Sequence, residues 1–143
     1  EEVQAITKTT SFHKMESEDF VAGGLKFKNG AVGSLMASTS SYPGHPESII
    51  LNCEKGSAKL ESGRLNIHWQ NKKVEEFGES SGTGGSADPM AFPYDWHKSI
   101  IKNFALSLRG KQSAIVTGEE ALEVHGLIDA LITSSNNGIS VKI

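Results

Sequence analysis

At 143 residues, with 37% hydrophobic and 22% charged side chains, the chain has the length of one domain and a globular composition, which excludes a disordered polypeptide. A formal charge of −3 with no cluster of Lys or Arg argues against a nucleic-acid partner, since phosphate binding needs a basic patch. One cysteine, Cys53, excludes an internal disulfide, and no apolar run approaches the roughly 20 residues of a membrane span, so a cytoplasmic location is expected.

The first two-thirds reads as strands. A β-branched stretch runs from Val3 to Thr10, followed by Phe20 to Phe27 and Val32 to Thr39. Asn29-Gly30 between the last two is a hairpin signal, and a two-residue type I′ loop would set Phe27 opposite Val32 and Leu25 opposite Ser34. That register puts Val21, Leu25, Phe27, Val32 and Met36 on one face. The other face carries Ala22, Gly24, Ala31, Gly33, Leu35 and Ala37. Small and half polar, this second face suggests a sheet-to-sheet contact between subunits, with a solvated face as the plain alternative.

Tyr42-Pro43-Gly44-His45-Pro46 breaks the pattern. Shorter strands are predicted at Ser48 to Cys53, Ser57 to Glu61, Arg64 to Gln70 and Val74 to Phe77. Leu65, Ile67 and Trp69 alternate with Asn66, His68 and Gln70, as in a half-buried strand, which leaves His68 exposed. Residues 78–93 form the longest irregular segment.

The last third is helical. From Asp95, apolar residues at Ile100, Ile101, Phe104, Ala105 and Leu108 predict a buried stripe ending at Gly110. Thr117-Gly118-Glu119-Glu120 is a capping box. The helix it opens, with a stripe of Ala121, Val124, Ile128, Leu131 and Ile132, stops at Asn136-Asn137-Gly138, and Ile139, Val141 and Ile143 alternate as a final strand. This order defines an α+β fold, an open, mostly antiparallel mixed sheet with helices packed on one face.

Four stretches carry a family resemblance. Asp19, Phe27, Gly30, Ala31, Gly33 and Leu35 match a D-x7-F-x2-G-A-x-G-x-L hairpin. Gly56-Ser57-Ala58 precedes Gly63-Arg64-Leu65, and His97, Phe104 and Gly110 match H-x6-F-x5-G. Thr117 to Ala121, Ser134-Ser135, Gly138 and Val141 complete the set. In this order they resemble the C-terminal α/β domain of the Gfo/Idh/MocA NAD(P)-dependent oxidoreductases.

The resemblance implies that residues 1–143 are a single substrate-binding and oligomerisation domain, with the N-terminal Rossmann domain absent from the chain. It implies a dehydrogenase acting on a sugar, polyol or related hydroxy compound, inactive as this piece alone. NAD or NADP would bind the full-length protein and not this chain. The implied partners are the small-molecule substrate, the protein's own Rossmann domain and further copies meeting through the open sheet face. The family's catalytic elements match nothing here, so no catalytic residue is assigned. The alternative is a stand-alone interaction or carbohydrate-binding module without catalysis.

The substrate-binding candidates are His97, Tyr94 and Trp96. His97 shares a helical face with Ile101, Phe104 and Leu108. It could bond substrate hydroxyls or be a packed core histidine. The flanking aromatics could stack on sugar C–H faces or anchor the helix start. Gly82-Thr83-Gly84-Gly85-Ser86-Ala87 formally satisfies a dinucleotide fingerprint, but it lacks the strand before and the helix after, so a loop is expected. The histidines show no metal-ligand spacing. Cys53 reads as a buried structural thiol, and Glu75, Glu76 and Glu79 as a solvated face.

Overall fold

The structure, a computed structural model, describes residues 1–79 and 94–143. The chain forms two compact units, Glu1–Ser40 with Trp96–Ile143, and Ser41–Asp95. The elements are β1 (Glu2–Lys8), β2 (Phe20–Lys26), β3 (Val32–Ser38), β4 (Ser48–Cys53), β5 (Gly56–Glu61), β6 (Arg64–Trp69), β7 (Val74–Phe77), α1 (Asp95–Leu108), α2 (Gly118–Asn137) and β8 (Val141–Lys142). The architecture is α+β and antiparallel, as the sequence predicts. Its strands divide into two four-stranded sheets, β3-β2-β1-β8 and β4-β5-β6-β7, instead of one, and no parallel pairing occurs among the described residues. The division falls at the segment containing Pro43 and Pro46, which have no N–H to give to a ladder.

In the first unit, α2 covers one face of its sheet. Val3, Ala5, Ala130 and Leu131 are buried there, with Leu25, Leu35, Leu127 and Val141 packed around them. Gly23 makes the close approach possible: a Cβ at that position would lie 3.0 Å from the Gln4 carbonyl oxygen, 3.1 Å from the Ala5 Cβ and 3.3 Å from Leu131. The predicted capping box is present. Thr117 accepts from the Glu120 amide at 3.2 Å and gives its own amide to the Glu120 carboxylate at 2.8 Å. Gly138 ends α2 in the left-handed region, at φ 67°.

The β2–β3 hairpin differs from the expected one by a single residue. The Phe27 amide donates to the Ala31 carbonyl at 2.9 Å and the Gly30 amide to the Phe27 carbonyl at 3.0 Å. Only Gly30 takes a positive φ (87°) in this turn, so the loop has three residues, with a glycine bulge in place of a type I′ turn. Leu25 therefore pairs with Gly33, Gly23 with Leu35 and Ala22 with Met36. A slip of one residue moves all of β3 to the opposite face. Gly33, Leu35 and Ala37 now lie on the α2 side with Val21, Gly23 and Leu25. The open face instead carries the row Ile6–Ala22–Met36, with Val32 near the turn.

In the second unit, alternation separates the two faces of the sheet. Ile49, Leu51 and Cys53 of β4 share a face with Ala58, Leu60, Leu65, Ile67, Trp69 and Phe77. Asn52, Ser57, Lys59, Glu61, Arg64, Asn66 and His68 lie on the other, and His68 is exposed as predicted.

Candidate functional site

The predicted site begins at the start of α1. Trp96 and His97 belong to the first unit and Tyr94 to the second. All three are exposed in this chain. At 100° per residue, Trp96, Ile100, Phe104, His97, Leu108 and Ile101 fall on one continuous stripe, with His97 between Phe104 and Leu108. The stripe is open: Trp96 is 44% exposed, Phe104 60% and Leu108 72%. The prediction that it would be buried is thus corrected, and α1 contains no buried residue.

The physical reason lies in which surfaces are already occupied. The inner face of the first sheet is taken by Leu127, Ala130 and Leu131 of α2. Asn103, at the edge of the stripe beside Trp96, helps tie α1 to the following connection. Its side chain donates to the Ser113 carbonyl at 3.2 Å and accepts from the Ile115 amide at 2.9 Å. Gly110, at φ 65°, closes the helix where the sequence places its end. Two of the five residues in the predicted α2 stripe are also open. Val124 and Ile128 are exposed, whereas Leu131 is buried.

Two polar constellations were not singled out from sequence. Asp19 is buried, and its carboxylate gathers Thr10 and His13. Burial pushes its pKa up, but hydrogen bonds from the Thr10 hydroxyl, the Thr10 amide and the His13 ring outweigh that and hold it below the usual carboxylate value. Glu75, expected on a solvated face, instead accepts from the Trp69 indole N–H and from Lys73 Nζ, the latter at 2.9 Å. The bonds from Lys73 and Trp69 lower its pKa against an opposing effect of burial. Cys53 is exposed, not buried. Each had a sequence signal: Asp19 opens the D-x7-F hairpin pattern, and Glu75 lies opposite Ile67 once β6 and β7 are paired.

Two hollows accompany these features. One of about 590 Å³ in the first unit is floored by Val3, Leu25 and Leu127 and rimmed by Lys26, Lys28 and Glu123. Another, of about 490 Å³ in the second unit, is walled by Leu51, Cys53, Ala58, Ile67 and Trp69. Neither includes Tyr94, Trp96 or His97. Gly82 to Ala87 lie outside the described residues. Among those described, no group of three or more His, Cys, Asp or Glu side chains is placed to hold a metal ion, and no helix is long and apolar enough to cross a membrane.

An antiparallel α+β chain with this element order defines a class of domain, and comparison with known proteins defines the family. The chain belongs to the Gfo/Idh/MocA oxidoreductases: residues 1–143 match their C-terminal alpha/beta domain. The chain is similar to the WlbA dehydrogenase of Bordetella pertussis, solved with NADH and UDP-GlcNAcA. Identity is 24%, the TM-score is 0.70, and the match covers 100% of this chain and 38% of that one. An oxidoreductase of Agrobacterium radiobacter, solved with NAD+, L-tartaric acid and magnesium, is 20% identical with a TM-score of 0.74, over 99% of this chain and 42% of the other. Levoglucosan dehydrogenase, solved with NADH and levoglucosan, is 16% identical with a TM-score of 0.75, over 99% and 44%. The chain therefore spans about two-fifths of the length of these solved relatives. No curated protein matches it.

Proposed function

We propose that this chain is the substrate-binding and oligomerisation domain of an NAD(P)-dependent dehydrogenase acting on a sugar, polyol or related hydroxy compound. The observation that carries the reading is the exposed stripe of α1, with an indole and an imidazole at its N-terminal end. An exposed imidazole can give or accept a hydrogen bond with a substrate hydroxyl, and an indole face can stack on sugar C–H groups. Tyr94, which belongs to the second unit, is a further candidate of the same kind. Solved relatives hold NADH together with UDP-GlcNAcA or levoglucosan, which supports both the cofactor and the substrate class.

On this reading the dinucleotide is cradled elsewhere in the full-length protein. The nicotinamide would exchange a hydride with the substrate carbon when bound to the rest of the enzyme, within a Rossmann domain preceding this one. Here Trp96 and His97 bind and orient the hydroxylated carbon chain. A cytoplasmic location belongs to the same reading.

Subunits meet, on this reading, through the open face of the first sheet. The faces are reassigned from the sequence expectation: the contact rests on Ile6, Val32 and Met36, and not on Gly33 and Ala37. The deciding experiment uses the full-length gene product with NAD+ or NADP+ and a panel of aldoses and polyols, read as nicotinamide absorbance. Turnover on at least one member is expected. Sugar binding with no nucleotide-dependent turnover on any member would replace the enzyme with a carbohydrate-binding module.

A further inference from the structure

The connection between β1 and β2 is fastened at its base by one carboxylate. The Asp19 side chain is inaccessible to solvent. Its Oδ1 accepts from the Thr10 amide at 2.7 Å, and its Oδ2 accepts from the Thr10 hydroxyl at 2.7 Å. His13 Nδ1 lies 2.8 Å from the same Oδ2. The Asp19 backbone holds the same corner: its amide donates to the Lys8 carbonyl at 3.1 Å, and its carbonyl accepts from the Thr39 amide at 3.0 Å. Thr9 closes the base further, its hydroxyl donating to the Ser17 carbonyl at 2.7 Å. Between these anchors the chain leaves Phe12 78% exposed and Met15 48% exposed.

A buried carboxylate is tolerated only when its oxygens have partners, and here both do. An ionised carboxylate only accepts, so the proton in its contact with His13 sits on Nδ1. That fixes the neutral ring as the Nδ1–H tautomer and leaves the Nε2 lone pair outward. A doubly protonated ring keeps the same Nδ1–H, so either protonation state of the ring can make the contact. Protonation of Asp19 itself is what removes the acceptor. The other charged groups nearby in the chain are Lys8 at the end of β1 and Lys14, Glu16 and Glu18 in the connection. β3 brings only Ser38, Thr39 and Ser40 to this end, and α2 brings Ser135, which bonds Thr7. Among the described residues His13 is the one ion-pair partner of Asp19.

We propose that Asp19 is a latch that locks the β1–β2 connection into one conformation, fixes the His13 tautomer, and holds Phe12 and Met15 out as a pre-formed apolar tip. The latch is closed wherever Asp19 is ionised. With the folded value held below the ordinary carboxylate value, it opens only as pH falls through that lowered value.

Two measurements on the 143-residue chain test this. Nitrogen-15 spectra of the neutral His13 ring are expected to show a protonated Nδ1 and a bare Nε2. Amide exchange of residues 9–18, corrected for the intrinsic rate, is expected to be slow, and faster by about tenfold or more in Asp19→Asn. Should Asp19→Asn fail to fold, Thr10→Val and His13→Gln change groups at the surface of the connection, and each should speed exchange there while leaving β2 and β3 protected. An Nε2–H ring would overturn the latch. So would wild-type exchange at the unfolded rate over residues 9–18, or unchanged exchange in Thr10→Val and His13→Gln.

Discussion

The Ser134 hydroxyl accepts a hydrogen bond from the Ala5 amide at 3.0 Å and donates one to the Ile139 carbonyl at 2.6 Å. Ser134 is fully buried. β8 pairs with β1 only at Glu2 and Val3, so the edge of β1 loses its strand partner after two residues. Ser134 and Ser135 take its place, the second accepting from the Thr7 amide at 2.8 Å. Two side chains of a helix thus extend a ladder that the strand is too short to continue. Replacing Ser134 with Ala strands a buried amide, and a loss of about 1–3 kcal/mol is expected in urea unfolding. Ser135 is half-buried, and its replacement by Ala should cost less. Equal, negligible effects at both positions would show that water substitutes for the hydroxyls.

Gly23 sets how closely α2 approaches the sheet. The atoms a Cβ would meet include the Gln4 carbonyl oxygen and the Ala5 Cβ, both on β1 and neither at the end of a flexible side chain. Gly23→Ala should therefore destabilise by about 1–3 kcal/mol through overpacking, although Ala is the better strand residue. Gly24, on the opposite face, would meet nothing within 4 Å. Gly24→Ala is the control and should be neutral or slightly stabilising. The ordering of the two melting temperatures checks the argument.

The sequence was legible where local chemistry decides. The Thr117 capping box, the Gly110 and Gly138 helix ends and the alternation of Leu65, Ile67 and Trp69 all stand in the structure. It was misleading where two local solutions differ by one residue. Asn29-Gly30 suits a type I′ turn, but the sheet takes a three-residue loop in which Asn29 Oδ1 accepts from the Ala31 amide at 3.0 Å. Nothing in the residues between Phe27 and Ala31 selects between them. Contacts distant in sequence, such as Ser134 with Ala5, leave no periodic trace. The α1 stripe was read correctly as a stripe, since periodicity reports that a face is apolar, not what covers it.

That register correction changes which substitution probes self-association. Met36 is 77% exposed, in a row with Ile6 and Ala22, whereas Ala37 pairs with Val21 on the α2 side. Met36→Lys should dissociate the full-length oligomer in light scattering with little change in monomer stability. Ala37→Lys, exposed but on the opposite face, should leave the oligomer intact, whereas Leu35→Lys should lower stability because Leu35 packs against the buried core. A full-length protein that is monomeric at high concentration before any substitution removes the interface from the proposal.

Glu75 links pH to the second sheet. Its carboxyl is held below the usual value by Lys73 and Trp69, so its contribution to stability is complete above the unfolded glutamate value of about 4.3 and is lost as pH falls through the lower folded value. The indole partner makes the transition visible. In a Trp96→Phe background, which leaves Trp69 as the sole tryptophan, emission should change on acidification in step with this loss. Glu75→Gln should flatten that step. A step of unchanged position in Glu75→Gln would assign it to another group.

His97 separates a binding role from a packing role because its ring is exposed. Truncating an exposed side chain normally alters stability by no more than about 0.5 kcal/mol. His97→Ala in the full-length enzyme should therefore leave the melting temperature nearly unchanged. If the imidazole bonds a substrate hydroxyl in ground state and transition state alike, KM should rise with kcat preserved. A bond strengthened during reaction would lower kcat instead. One neutral hydrogen bond is worth about 0.5–1.5 kcal/mol, so kcat/KM should fall by roughly 2- to 13-fold. Phe104→Ala, about two turns along the same stripe, is the discriminating partner. Should Phe104→Ala and His97→Ala both lower the melting temperature in the full-length protein, the stripe is a packing surface there. His97 would then be a buried interface residue and not a ligand to substrate.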